Sequence, residues 1–289
     1  MNKMVITRSI ILFLSSAGFS FTCQQEEKYE LEWKYKKGEV FKCRWIINLK
    51  SNTENLDTTP FAQRFNNSLT AELTGSFKID NVSEEGDANA VFHIDKYHTV
   101  GAAAGNKLEL LFEDGVIKKM DSKLLDADPK KISIQLNTDV KVTMGKYGKL
   151  SLEQNAGFNL FDGLKKLYIG PSLPDKALII GEYWDDSIET ISDSPSVVNI
   201  KNKVEKLIEY KGKECIHITA SNSETKETKV DKEKSMVDVK LTRDALFSTK
   251  DSMFVFSKDS ATITMALDIA DKKQAKITVT SELELQISK

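Results

Sequence analysis

Apolar and polar residues alternate along most of this chain. Ile132, Ile134, Leu136, Val140, Val142 and Met144 interleave with Ser133, Gln135, Asn137, Lys141 and Thr143. Near the C-terminus Ala275, Ile277, Val279, Leu283, Leu285 and Ile287 interleave with Lys276, Thr278, Thr280, Glu282, Glu284 and Gln286. A period of two sends successive side chains to opposite faces, so each run predicts a strand with one buried and one wet face. At about 3.3 Å per residue the C-terminal run extends roughly 40 Å, well beyond the usual strand. Further strands are expected at 39–50, 69–80, 88–98, 107–112, 197–210, 214–221, 235–242, 252–257 and 261–269. The predicted fold is mostly β, with long antiparallel strands forming one or two curved sheets.

Turn chemistry agrees. Gly86, Gly115, Gly148 and Gly212 each lie between alternating runs, where hairpins need a residue tolerant of positive φ. Helical spacing is scarce and predicts one or two short helices. Phe158, Phe161, Leu164, Leu167 and Tyr168 form the better candidate. A weaker one, "KKMDSKLLDADPKK", is expected to end at Pro129.

Two halves of the chain look alike. "GEVFKCRWIINLKS" from residue 38 has a counterpart in "GEYWDDSIETISDS" from residue 181. The hairpin around Gly86 aligns with that around Gly212, and His93 with His217. This predicts a duplicated β unit, residues 31–169 and 170–289, joined through the stiff "GPSLPDKA" with Pro171 and Pro174. In that alignment Asp185 and Asp186 open a strand and point to opposite faces. They are read as part of a turn and strand start, not as an acid–base pair.

The N-terminus breaks the pattern. Lys3 and Arg8 precede the apolar "IILFLSSAGFSF", which reads as an export signal over residues 1–22, too short for a spanning helix. Cys23 follows directly, with a polar tether over residues 23–30. This layout resembles a bacterial lipoprotein signal, which implies lipidation of Cys23 and a membrane anchor. "SFTC" lacks the usual Leu and the small residue before Cys, so ordinary cleavage near Gly18 or Ser20 stays open. Cys43 and Cys215 remain. The alternation sets them on opposite faces, which predicts two unpaired thiols.

Composition narrows the function classes. Forty-one basic and 43 acidic residues leave a formal charge of -2, without the basic surplus of a nucleic-acid binder. Only three histidines occur, and His93 and His98, five apart, are expected on opposite faces of a strand. No metalloprotease, phosphate-loop, dinucleotide or serine-elbow motif is present. The lysine-rich "TKETKVDKEKS" carries both signs and reads as a solvated loop or hairpin tip. No cofactor or metal is expected.

The stretches "WKYKKGEVF", "VSEEGDANAVFHI" and "LPDKALIIGEYW" resemble a family of exported bacterial proteins of unknown function, with Glu182 where that family favours Asp. The resemblance carries no catalytic residues. In architecture the chain also looks like the periplasmic lipoprotein carriers, whose curved sheets cradle acyl chains. The expectation is a non-enzymatic, exported envelope protein that binds or scaffolds. Its apolar sheet face would hold a hydrophobic small molecule, under a cover of Phe158, Phe161, Leu164 and Tyr168. The rivals are a structural or protein-interaction module without ligand, in which the two halves pack face to face and whose partner would be an envelope protein, and an unrecognised hydrolase.

Overall fold

A computed structural model of the chain describes residues 27–54, 66–103, 106–122, 128–152, 169–189, 197–230, 233–269 and 273–289. The strands are β1 (Val40–Glu54), β2 (Asn67–Val82), β3 (Ala88–Ala103), β4 (Asn106–Glu113), β5 (Val116–Ser122), β6 (Val140–Met144) and β7 (Leu150–Leu152). They continue as β8 (Tyr183–Glu189), β9 (Val197–Tyr210), β10 (Lys213–Val230), β11 (Glu233–Ser248), β12 (Met253–Ile269) and β13 (Lys273–Ser288). One helix, α1 (Pro129–Leu136), is present among the described residues.

All thirteen strands belong to one curved, unclosed antiparallel sheet. Its order is β5-β4-β3-β2-β1-β13-β12-β11-β10-β9-β8, with β6 beside β3 and β7 beside β6. The first and last long strands, β1 and β13, meet at the centre and join two meanders that run in the same sense.

Tight turns make the meanders cheap to close. Asp114–Gly115 and Lys211–Gly212 both have positive φ at each central residue, as two-residue hairpins require. The strands exceed the sequence expectation. Residues 252–257 and 261–269 fall within one strand, β12, and β10 and β11 continue through the lysine-rich segment to Val230 and from Glu233.

The run from Ile132 to Met144 is not one strand. Pro129 opens a helix there instead of ending one. Its missing N–H is harmless in a first turn, and Asp128 caps the helix by accepting from the Lys130 N–H at 2.9 Å. Ile132 and Leu136, four apart, are buried while Ile134 between them is 67% exposed. A period of two and half a period of four look the same over five residues, and the cap decides.

The turns that open β1 and β8 are built alike. The Gly38 N–H donates to Ile79 O and the Ile79 N–H to Glu39 O, while the Gly181 N–H donates to Val204 O and the Val204 N–H to Glu182 O. The Glu39 carboxylate accepts the Lys36 N–H, and that of Glu182 accepts the Ile179 N–H, both at 3.2 Å.

Candidate functional site

Register decides which side chains share a face. Phe41, Trp45 and the odd residues of β1 lie opposite Phe77 and Leu73 on β2 and Leu285 and Ile287 on β13. At the Gly38 end this face is a dry core. Phe77 and Phe92 lie 4.7 Å apart, Trp45 meets Phe92 edge-on at 5.7 Å, and Trp33 packs on both Phe41 and Phe254 at 6.2 Å. Such aromatic pairs add about 0.5–1.5 kcal/mol each beyond their burial.

The strands run on past that core, and the same face stays apolar. Ile47, Leu69, Val239, Ile263, Met265 and Val279 are half-buried, and Leu49 is 37% exposed. They are in register: Ile263 lies opposite both Val239 and Val279, and Leu49 opposite Leu69. A small separate core of Val198, Ile200, Ala220 and Leu241 forms the β9–β11 side of this strip. The face thus passes from fully buried to half-covered and stays largely apolar.

One row interrupts it. Trp184, Asn202, Ala220, Arg243 and Asp259 are consecutive partners across β8 to β12. The Arg243 side chain is only 1% exposed. Its Nε and Nη2 donate to the two Asp259 oxygens at 2.9 and 3.0 Å, and its Nη1 donates to Asp186 Oδ2 at 2.7 Å and Asn202 Oδ1 at 3.0 Å. Two carboxylates therefore meet one guanidinium. The geometry is the bidentate fork that makes an interior arginine tolerable.

This locates the adjacent aspartates. Asp185 is exposed and Asp186 is 6% exposed, on opposite faces as the alternation predicts. Asp186 serves a structural ion cluster, and Trp184 anchors the strand by donating to Ser172 O at 2.8 Å. The sequence reading missed Arg243 and Asp259. The signal was present: each stands in phase with apolar neighbours, Leu241 and Ala245 or Ala261, on the buried face.

The histidines are spaced differently from expectation. A bulge at Asp95 sets His93 and His98 on the same, outer face, opposite Ser76 and Glu72. Each has its own carboxylate, His93 with Asp139 at 2.8 Å and His98 with Glu109 at 3.8 Å. His217 pairs with Asp244 at 2.8 Å. Among the described residues no group of three or more His, Cys, Asp or Glu is arranged to hold a metal.

Cys43 and Cys215 are both free and buried. Burial alone pushes the Cys43 thiol far above its ordinary range, and burial is also the main cause of the rise at Cys215. Buried and with their thiols pushed up, neither presents a ready thiolate. Cys23 and the cover candidates Phe158, Phe161, Leu164 and Tyr168 lie outside the described residues. Among those described, no helix is long and apolar enough to cross a membrane. Compared with known protein families and with characterised proteins, the chain matches none.

Proposed function

We propose that this is a non-enzymatic, exported envelope protein that holds a hydrophobic ligand on the apolar face of its curved sheet. The single observation that carries this reading is the strip from Ile47 and Leu49 through Ile263, Met265 and Val279, which continues the core face but is only half-covered. A soluble chain that keeps this many aligned apolar side chains half-wet has a use for them. Lipidation at Cys23, with membrane tethering, belongs to the same proposal, as does a cover formed by Phe158, Phe161, Leu164 and Tyr168. We also read residues 31–169 and 170–289 as copies of one β unit, a reading supported by the matching hydrogen bonds at Gly38 and Gly181.

Native mass spectrometry of the protein after gentle purification tests the ligand. The expected result is a mass excess of an acyl-bearing molecule that collisional activation removes. Titration of the stripped protein with alkyl ligands should then strengthen by roughly 0.8 kcal/mol for each added methylene that is buried. A bare mass together with affinity independent of chain length contradicts the carrier role. That outcome leaves the structural module that packs this face against another envelope protein.

A further inference from the structure

The outer face of the sheet carries mainly Lys, Glu, Ser and Thr, yet one region of it is apolar. Ile208 and Tyr210 on β9, Leu246 on β11 and Phe256 on β12 line a pocket of about 270 Å³ together with Lys206, His217 and Asp244. Leu246 is 6% exposed, and the Tyr210 and Phe256 rings lie 6.3 Å apart. The bulges cause this. Register slips between His217 and Ile218, and again between Leu246 and Phe247, and these slips reset which residues turn outward.

A second pocket of about 370 Å³ adjoins it and shares Tyr210. Its charged lining is entirely basic: Lys42 and Arg44 from β1, Lys211 from the β9–β10 turn and Lys213 at the start of β10. Arg44 is matched by Glu72 at 2.8 Å and Lys213 by Asp251 at 2.7 Å. Lys42 and Lys211 have no carboxylate within 4 Å among the described residues, and Lys211 lies 5.0 Å over the Tyr210 ring. The two lobes make one groove with an apolar floor at one end and two uncompensated cations at the other. Each lobe is near the lower end of the range for small-ligand pockets, about 300–1,000 Å³.

We propose that this groove binds a small anionic amphiphile, a carboxylate on a short alkyl or aryl body. The body lies over Ile208, Leu246 and Phe256, Tyr210 sits at the junction, and the carboxylate accepts hydrogen bonds from Lys42 and Lys211. Charge complementarity selects the anion, and the apolar lobe rejects a bare one. The groove opens on the outer face, and Cys43 and Ile287 of the core face reach its basic lobe.

The probes are octanoate, 1-octanol and acetate, titrated calorimetrically into the intact protein, with the three histidine rings followed by NMR. Octanoate should shift the His217 ring, acetate and octanol should shift it much less, and the His93 and His98 rings should stay still. The exposed pair Lys42→Ala/Lys211→Ala should weaken octanoate by about tenfold or more. Val116→Glu, exposed on β5 and lining neither lobe, should leave octanoate unaffected. No octanoate binding, unchanged affinity in the double variant, a silent His217 ring, or loss of binding in Val116→Glu each overturns the proposal.

Discussion

Two rows of the sheet, each counted from a turn of the same build, solve the same packing problem with opposite chemistry. Measured from the matching turns at Gly38 and Gly181, Phe41 corresponds to Trp184, Cys43 to Asp186 and Phe77 to Asn202. In the first half the row continues Phe41, Phe77, Phe92, Val140, all apolar and buried. In the second it reads Trp184, Asn202, Ala220, Arg243, Asp259. Backbone geometry is therefore not what requires aromatic rings or ions here. Either set works provided that it is complete. An apolar row fails by losing volume, and an ionic row fails by losing one partner.

The largest expected effects break the rows one at a time. Arg243→Met leaves Asp186 and Asp259 buried without their cation and should cost about 3–5 kcal/mol in urea denaturation. Phe77→Ala should cost a similar amount, about 3–5 kcal/mol, through the cavity it opens. Their rescue distinguishes them. Replacing Arg243, Asp186 and Asp259 together by Met, Leu and Leu should return most of the lost stability, since an apolar set of similar volume is often no worse than buried ions. If the triple variant stays as unstable as the single one, the two rows are not interchangeable.

A smaller effect sharpens the equivalence of the turns. Gly38 and Gly181 have φ of 80° and 89°, and a Cβ at either would meet nothing within 4 Å. Alanine at each should therefore cost only the backbone strain, about 1–2 kcal/mol, and nearly the same amount at both. Unequal costs would mean that the turns differ in a way their hydrogen bonds do not reveal.

The smallest effects come from the surface. Hydrogen bonding to Arg44 holds the Glu72 carboxyl below its usual range. A depressed carboxyl contributes stability above the ordinary glutamate pKa, about 4.3, and that contribution is lost as pH falls through the lowered value. Glu72→Gln should remove this part of the acid sensitivity and cost no more than about 0.2–1 kcal/mol near neutrality. Thiol labelling completes the series. Cys43 and Cys215 should resist modification in the folded protein and both react on unfolding.

Much of this architecture was legible in the sequence, because alternation and glycine turns act locally. The β class, the long strands, the free thiols and the split of Asp185 from Asp186 all follow from a period of two. What escaped depends on contacts that are distant or on single inserted residues. Asp95 is one extra residue in β3, and it reverses the relation of His93 to His98. The alignment of His93 with His217 fails for a similar reason. His93 lies opposite Ser76, on one side of Ile79, whereas His217 lies opposite Lys206, on the other side of the equivalent Val204. The ion cluster joins Asp186, Asn202, Arg243 and Asp259 across five strands, and no spacing rule brings those together. The helix at Pro129 hid within a strand-like alternation that its cap overrode.

The role of the core face is tested most directly by where a bound lipid touches it. The intact protein would be loaded with a neutral diacylglycerol bearing a diazirine on its acyl chain, irradiated, and mapped by peptide mass spectrometry. Labels confined to Ile47, Leu49, Val239, Ile263, Met265, Val279 and their neighbours on that face are the predicted result. Labels spread over the polar face, or none above the level of a lipid-free control protein, would contradict it.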